Sequence, residues 1–245
     1  MRLTFIGSGD AFGSGGRYNT CFHVEGDSVD FLIDCGASSL VALKARRVAL
    51  NRIQAIFVTH FHADHFGGLP FFMLDAQFFS KRTEPLAIVG PRGLASWYER
   101  TMELSFPGSS STQPKFALSL VELDAGAPAT IAGVRVTPYQ AHHGNPGGPF
   151  FSYRLEAKGR TIAYTGDTEW TEALVPAARD ADLFIAEAYF HDKPIKLHLD
   201  LATLARHLPR IAPRRLVLTH MSDDMLGRLP LAGYEAAYDG MVVEL

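Results

Sequence analysis

Short apolar segments recur along the whole chain, separated by polar segments that often contain glycine. Most of them are rich in Val, Ile, Leu and Phe without strict alternation, which is typical of strands covered on both faces. The pattern predicts strands at Leu3–Ile6, Thr20–Val24, Val29–Ile33, Ala55–Thr59, Leu86–Val89, Leu118–Leu123, Val134–Thr137, Phe151–Leu155, Thr161–Thr165, Leu183–Ala186 and Leu216–Thr219.

Apolar residues at helical spacing occur between some of these strands. The pattern predicts helices at Ser38–Arg47, Arg92–Leu104, Thr171–Arg179 and Asp200–Leu208. Pro91 suits the start of the second helix, and Asp200 is a suitable N-cap for the last. Strands outnumber helices, and the helices are spaced along the whole chain. Two packed sheets with helices outside fit this order, and periodicity alone does not distinguish them from a doubly wound sheet.

The composition is that of an ordinary globular protein, and the length suits one large domain or two small ones. Because no linker is recognised, we expect a single domain over residues 1–245. Apolar residues make up 47% and charged residues 20%, which excludes a disordered chain or a collagen. A net charge of −3 offers no basic surface for wrapping nucleic acid, although a small anion is not excluded. Apolar runs fall far short of the roughly 18 residues that cross a bilayer. With no secretory signal recognised, we expect a cytoplasmic protein without a membrane partner.

Two cysteines, Cys21 and Cys35, each lie in an apolar segment that is predicted to be strand-like. Neither has the spacing of a metal-binding pair, and one pair could not staple a domain of this size. We therefore interpret them as inert buried thiols.

A dense group of metal-ligating side chains follows the predicted strand Ala55–Thr59. His60, His62, Asp64 and His65 lie within six residues. Imidazole and carboxylate together suit zinc and similar ions. Four ligands in one short loop do not easily surround a single tetrahedral ion, so the spacing favours two neighbouring ions.

Further candidate ligands follow other predicted strands. They are His142 and His143, Asp167 in a Gly-Asp-Thr turn, and His220. Ligand sites gather at strand ends in open sheets, so these separate loops can converge on the first group. Each is a weak signal alone, since an aspartate in a glycine turn is usually part of an Asx turn.

Together these motifs resemble those of the metallo-β-lactamase superfamily of metal hydrolases. The matching segments are Gly7-Ser8-Gly9, Leu32-Ile33-Asp34-Cys35-Gly36, His60-x-His62-x-Asp64-His65, Gly166-Asp167-Thr168 and Thr219-His220. The resemblance implies an α/β fold, a four-layer αβ/βα sandwich of two mixed sheets with outer helices. It also implies two divalent metal ions in the cleft. Zinc is the first candidate, and manganese or iron could bind the same ligands.

The resemblance further implies which residue holds which ion. His60, His62 and a middle histidine would bind the first metal, Asp64, His65 and His220 the second, and Asp167 would bridge them. His143 is preferred as the middle histidine because its offset from Val136 matches ribonuclease Z-like relatives. His142 would then either support the ligands or lie on the substrate side. The expected reaction is hydrolysis by a metal-activated water, which Asp64 could help to orient. His62 supports this, because the diiron electron-transfer members tend to carry Glu there.

Within the superfamily, the chain most resembles ribonuclease Z-like phosphodiesterases. Arg17-Tyr18-Asn19 resembles their early loop, Glu187 their strand-borne glutamate, and His198 their proton donor. A histidine held protonated by a glutamate suits a phosphodiester, whose alkoxide leaves poorly without a proton. The alternative is that Glu187 is a surface charge and His198 a capping residue.

The chain differs from ribonuclease Z enzymes in the segment between His143 and Asp167. These residues are 24 positions apart, which allows a hairpin but not the long tRNA-gripping arm of ribonuclease Z enzymes. We therefore do not expect tRNA as a partner and favour a small or nucleotide-like phosphodiester, as in the short cyclic-phosphate phosphodiesterases. Alternatives are a lactone or thioester hydrolase using the same metals, a ribonuclease Z-type RNA endonuclease, and a metal-bound scaffold without turnover.

Two further segments have a structural and a functional interpretation. The aromatic segment Gly67–Phe79 is interpreted as a core helix, or else as a surface at which two copies of the chain form a homodimer. The arginines Arg206, Arg210, Arg214 and Arg215 are interpreted as a solvated helix end, or else as a grip for an anion.

Overall fold

Two seven-stranded sheets form the centre of the protein in the computed structural model, which describes residues 1–145 and 147–245. The first sheet has the spatial order β14 (Val242–Glu244), β1 (Arg2–Gly7), β2 (Cys21–Glu25), β3 (Asp30–Ile33), β4 (Ala55–Phe57), β5 (Leu86–Pro91) and β6 (Leu118–Leu123). The second has the order β13 (Glu235–Ala236), β12 (Leu216–Thr219), β11 (Leu183–Glu187), β10 (Arg160–Tyr164), β9 (Phe151–Ala157), β8 (Val134–Gln140) and β7 (Ala129–Ile131).

Both sheets are mixed. Strands β3 to β6 are parallel to one another, whereas β14, β1, β2 and β3 pair antiparallel. In the second sheet β10 to β13 are parallel and β7 to β10 antiparallel. Each sheet therefore has a parallel half, and the carboxyl ends of those strands are where ligand sites usually form.

Helices cover the outer face of each sheet. They are α1 (Ser39–Ala45), α2 (Ala63–Phe66), α3 (Leu69–Leu74), α4 (Leu94–Ser105), α5 (Leu174–Ala178), α6 (Leu201–Ile211) and α7 (Asp223–Leu226). A π-helical turn, Asp75–Phe79, continues α3. The buried side chains of α1, α3 and α4 pack on the first sheet, and those of α5, α6 and α7 pack on the second.

The apolar core has three layers, which explains the lack of strict alternation in the sequence. In β3, Phe31 and Ile33 point between the sheets, while Leu32 points towards the helices outside the first sheet. In β11, Ile185 points between the sheets and Phe184 towards the outer helices. Since both faces of each sheet are buried, the four-layer sandwich is confirmed and the doubly wound alternative is wrong.

Most predicted elements are present, with shifted ends. The predicted strands and four helices correspond to β1–β6, β8–β12, α1, α4, α5 and α6. Asp200 is the N-cap of α6, as predicted, and its carboxylate accepts a hydrogen bond from the Thr203 amide at 2.8 Å. The described residues contain no helix long and apolar enough to cross a membrane.

Candidate metal centre

The predicted ligands come together at one end of the two sheets, where the loops after β4, β8, β10 and β12 meet. Contacts between the sheets hold this end together. The Phe151 amide donates to the Thr59 carbonyl at 3.0 Å, and the Tyr153 hydroxyl donates to the Val58 carbonyl at 2.7 Å. The loops are therefore set by the sandwich itself.

The first group of candidate ligands consists of three histidines. Nitrogen atoms of His60, His62 and His143 lie within 4.8 Å of one another. His143 Nε2 lies 3.1 Å from His62 Nδ1, so these two nitrogens face a common point. These three imidazoles could hold one metal ion.

The second group combines two histidines with two carboxylates, and all four residues are buried. Asp64 Oδ2 lies 3.2 Å from His65 Nε2 and 3.3 Å from His220 Nε2. Asp167 lies 3.2 Å from His65 Nε2 through Oδ1 and 3.4 Å from His220 Nε2 through Oδ2. Asp167 Oδ2 is also 3.7 Å from His143 Nε2, which places this carboxylate between the two groups.

Local backbone geometry turns these side chains inward. His62 is the extended N-cap residue of α2, and the short helix places Asp64 and His65 on its buried side. Gly166, before Asp167, has φ +58°, and a Cβ there would lie 2.6 Å from the Phe151 carbonyl oxygen. His220 has φ +53°, a conformation that costs a non-glycine residue energy and is found often at functional sites.

Buried hydrogen bonds orient the ligands. Asp34, at the end of β3, accepts from His65 Nδ1 at 2.7 Å and from the Thr59 amide at 2.7 Å. The Leu197 carbonyl accepts from His143 Nδ1 at 2.7 Å. Such contacts leave Nε2 of His65 and of His143 free to face the cluster, as partners of metal-binding histidines commonly do.

The electrostatics of the two groups differ. Burial lowers the pKa of His60, His62 and His143, which favours the neutral imidazole that binds a metal. Burial also lowers the pKa of His220, but Asp167 and Asp64 more than offset this and raise it to about 9. The carboxylates therefore concentrate negative charge where the imidazole nitrogens converge.

These residues fit divalent metal ions. Within residues 1–145 and 147–245, His60 Nε2 is buried and has no hydrogen-bond partner, while the buried His65 Nε2 and Asp167 Oδ1 lie 3.2 Å apart without hydrogen-bond geometry. Buried polar atoms are rarely left so, and their presence on the loops after β4 and β10 fits bound metal ions. Imidazole and carboxylate ligands suit zinc.

Glu187 and His198 lie beside this cluster. Glu187 ends β11 and is fully buried, and its Oε2 is 2.9 Å from His198 Nδ1. The His198 ring lies 4.8 Å from the His143 ring and 5.7 Å from the His220 ring, between centroids. Tyr189 stacks on the other side of His198 at 4.9 Å. The alternative in which Glu187 is a surface charge is wrong.

The pKa of His198 is set by opposing effects. Burial lowers it, but the hydrogen bond and the charge of Glu187 outweigh burial and raise it above the ordinary value. Burial also raises the pKa of Glu187. Both shifts favour retention of a proton by the pair.

Other predicted residues lie outside the cluster. The side chain of His142 is half exposed, with Nδ1 3.8 Å from Glu169. Arg17 and Asn19 support the early loop, since Arg17 donates to the Ala237 carbonyl at 2.6 Å and Asn19 to the Asp10 carbonyl at 3.1 Å. Both cysteines are buried and free, as predicted.

The aromatic segment Gly67–Phe79 lies partly in the core and partly on the surface. Leu69, Phe72 and Met73 are buried in the core, as the first interpretation predicts, while Phe78 and Phe79 are exposed.

Three of the four arginines form exposed or partly buried ion pairs, Arg210 with Glu172, Arg214 with Asp182 and Arg215 with Glu235. This pairing supports the solvated helix end.

Sequence reasoning did not find all the residues that shape the site. Asp34 was recognised only as part of the matching segment Leu32–Gly36, although a carboxylate at the end of an apolar strand can itself indicate a functional residue. The contacts of Glu169 with His142 and of the Leu197 carbonyl with His143 join loops that meet only in the folded chain, so no local pattern marked them.

The chain belongs to the metallo-β-lactamase superfamily, because residues 30–221 match the family model described as the beta-lactamase superfamily domain. Within it, the chain falls in the ribonuclease Z-like branch. It is 28% identical to the Ribonuclease Z of Geobacillus kaustophilus, over 94% of this chain and 91% of that protein. These similarities make the protein a metal-dependent hydrolase.

Solved structures agree. The short form of human tRNase Z aligns with a TM-score of 0.78 and 28% identity, over 100% of this chain and 99% of that one. A diphosphatase of the PhnP family aligns with a TM-score of 0.78 and 20% identity, over 100% and 97% of the two chains, and supports the fold alone. The expectation that tRNA is not a partner gains no support, because the relatives are named ribonuclease Z and tRNase Z.

Proposed function

We propose that this protein hydrolyses phosphodiesters at a site that holds two divalent cations. The observation that carries the proposal is the pair His198–Glu187, which lies against the imidazoles of His143 and His220. Because Nδ1 of His198 is engaged by the buried carboxylate, Nε2 is the nitrogen available to a substrate oxygen.

The proposed ligands follow the two groups of side chains. His60, His62 and His143 would hold one ion, and Asp64, His65 and His220 the other, with Asp167 between them. Two bound ions would supply an activated water and stabilise charge that develops on the phosphoryl oxygens. Zinc is the first candidate, and manganese or iron fit the same donors.

His198 would donate the proton that the departing alkoxide needs. The raised pKa of His198 favours the protonated ring near neutral pH, and Glu187 fixes its orientation. Proton donation by a positioned side chain contributes about 10²–10⁴-fold in rate. An ester with a good leaving group needs this proton less, so the pair fits an alkyl phosphodiester better than a phenolic one. Asp64, a member of the second group, could orient the attacking water.

A small or nucleotide-like phosphodiester is the favoured substrate. Between His143 and Asp167 the described residues 147–167 contain only the hairpin β9–β10, joined by the two-residue turn Lys158–Gly159. The net charge of −3 also offers little attraction to a long polyanion. The ribonuclease Z relatives make RNA cleavage the second candidate function.

A substrate panel tests the proposal. Metal-loaded protein is assayed with bis-p-nitrophenyl phosphate, 2′,3′-cyclic nucleotides, a precursor tRNA, a lactone and a thioester. We expect turnover of the phosphodiesters and little of the lactone or thioester. Cleavage of the precursor tRNA in preference to small diesters would favour the second candidate, and turnover of the lactone or thioester alone would contradict the phosphodiesterase.

A further inference from the structure

Leu197, immediately before His198, has a left-handed backbone conformation. Its φ is +70°, and Ile195 and His198 pair across an isolated antiparallel bridge, so Lys196 and Leu197 form the centre of a tight turn. Glycine is usual where a turn needs positive φ, because a Cβ disfavours it. A leucine stays in this conformation only when its surroundings hold it there.

Glu169 makes a side-chain contact with this turn. Its Oε1 accepts a hydrogen bond from the Leu197 amide at 2.6 Å. The backbone of Glu169 is itself fixed, because its amide donates to the His142 carbonyl at 2.9 Å and its carbonyl accepts from the Thr168 hydroxyl at 2.7 Å. The glutamate thus joins the turn to the loop that carries Asp167.

The carbonyl side of Leu197 leads to two residues of the site. The Leu197 carbonyl accepts from His143 Nδ1 at 2.7 Å, which leaves His143 Nε2 to face His62. The next residue is His198, which Glu187 holds from the other side at 2.9 Å. A shift of the Leu197 backbone would therefore move both imidazoles.

We propose that Glu169 is a positioning residue that holds the Leu197 turn and, through it, orients His143 and His198. The inference rests on the functions proposed above for those two histidines. The side chain of Glu169 is about one-third exposed (34%), and its other oxygen lies 3.8 Å from His142 Nδ1. Glu169 therefore acts on His143 and His198 indirectly, through its hydrogen bond to the Leu197 amide.

Four variants test this function. Glu169→Ala removes the acceptor, and Glu169→Gln keeps an oxygen in its place. Leu197→Gly in the Glu169→Ala background removes the strain of positive φ, so the turn no longer needs the carboxylate. Glu172→Ala is the matched control, because Glu172 lies three residues on and pairs with Arg210 and Trp170 instead of the turn.

We expect Glu169→Ala to lower kcat on an alkyl phosphodiester about tenfold or more, with KM nearly unchanged. Glu169→Gln should retain most of the activity, and the added Leu197→Gly should restore a large part of it. Hydrogen exchange of the Leu197 amide should be slow in the wild type and fast in Glu169→Ala. Zn²⁺ affinity of the metal-free protein should fall about tenfold in Glu169→Ala, and Glu172→Ala should change none of these.

Two results would overturn the proposal. One is a Glu169→Ala protein in which kcat, Zn²⁺ affinity and exchange of the Leu197 amide are all unchanged. The other is a loss of activity that the glycine does not rescue and that lies mainly in KM, because this would mean that Glu169 contacts the substrate. A wild type without phosphodiester turnover contradicts the proposed function instead, and amide exchange with Zn²⁺ affinity then decides the question of Glu169.

Discussion

His198 Nδ1 lies 2.9 Å from Glu187 Oε2, and the carboxylate is fully buried while the imidazole is partly exposed. The other carboxylate oxygen accepts the amide of Thr168, the residue after Asp167. Glu187 therefore connects the candidate proton donor to the loop of a candidate metal ligand. An ionised carboxylate at this depth would be costly without these partners.

The leaving group should decide how much a variant of this pair loses. His198→Ala and Glu187→Gln should lower kcat on an alkyl phosphodiester about 10²-fold, because the alkoxide then leaves without a donated proton. The loss on bis-p-nitrophenyl phosphate should be much smaller, since its phenolate is a good leaving group. Steady-state kinetics with both substrates measure this, and equal losses on the two would show that the pair does not donate the proton.

Asp34 should control metal affinity without touching a metal. Asp34→Asn keeps an oxygen and tolerates the left-handed φ of +58° at this position, but it loses the charge that faces His65. We expect Zn²⁺ affinity to fall about 10- to 100-fold with the fold retained. Competition with a chromophoric chelator measures the affinity, and circular dichroism checks the fold. An unchanged affinity would mean that His65 is oriented by other contacts.

Thiol reactivity should follow burial. Burial raises the pKa of Cys35 from its ordinary value of 9.0 to about 12. Since the thiolate is the reactive form, folded protein should label slowly with iodoacetamide at pH 8 and at pH 10, and protein in guanidinium should label fast. The raised pKa also predicts a contribution to stability that is present below about pH 9 and is lost as the pH rises towards 12. Rapid labelling of the folded protein at pH 8 would contradict the burial.

Asp167 should be needed by both ions. Asp167→Ala should lower metal content and rate together, because the carboxylate lies within 3.7 Å of His143, His65 and His220. Elemental analysis after gel filtration gives the metal content, with Asp192→Ala, an exposed aspartate, as the control. A variant of Asp167 that still carries two ions per chain would exclude the bridging position.

The sequence predicted what depends on local spacing. The segment from His60 to His65 predicts a metal site because its ligands are neighbours in the chain. Asp200 is recognisable as an N-cap because capping depends on residues close in sequence. Strands β7, β13 and β14 were missed because they have two or three residues and, unlike β4, do not lie within a longer apolar run. The contact of Glu169 with Leu197 joins residues 28 positions apart, so only the packed sandwich reveals it.

The number of Zn²⁺ ions bound per chain tests the central claim most directly. Metal-free protein is titrated with Zn²⁺ by calorimetry, and the metal content of the saturated protein is measured by elemental analysis. The arrangement of the His60, His62 and His143 group beside the group of Asp64, His65, Asp167 and His220 predicts two ions per chain. Saturation at a single ion would contradict it.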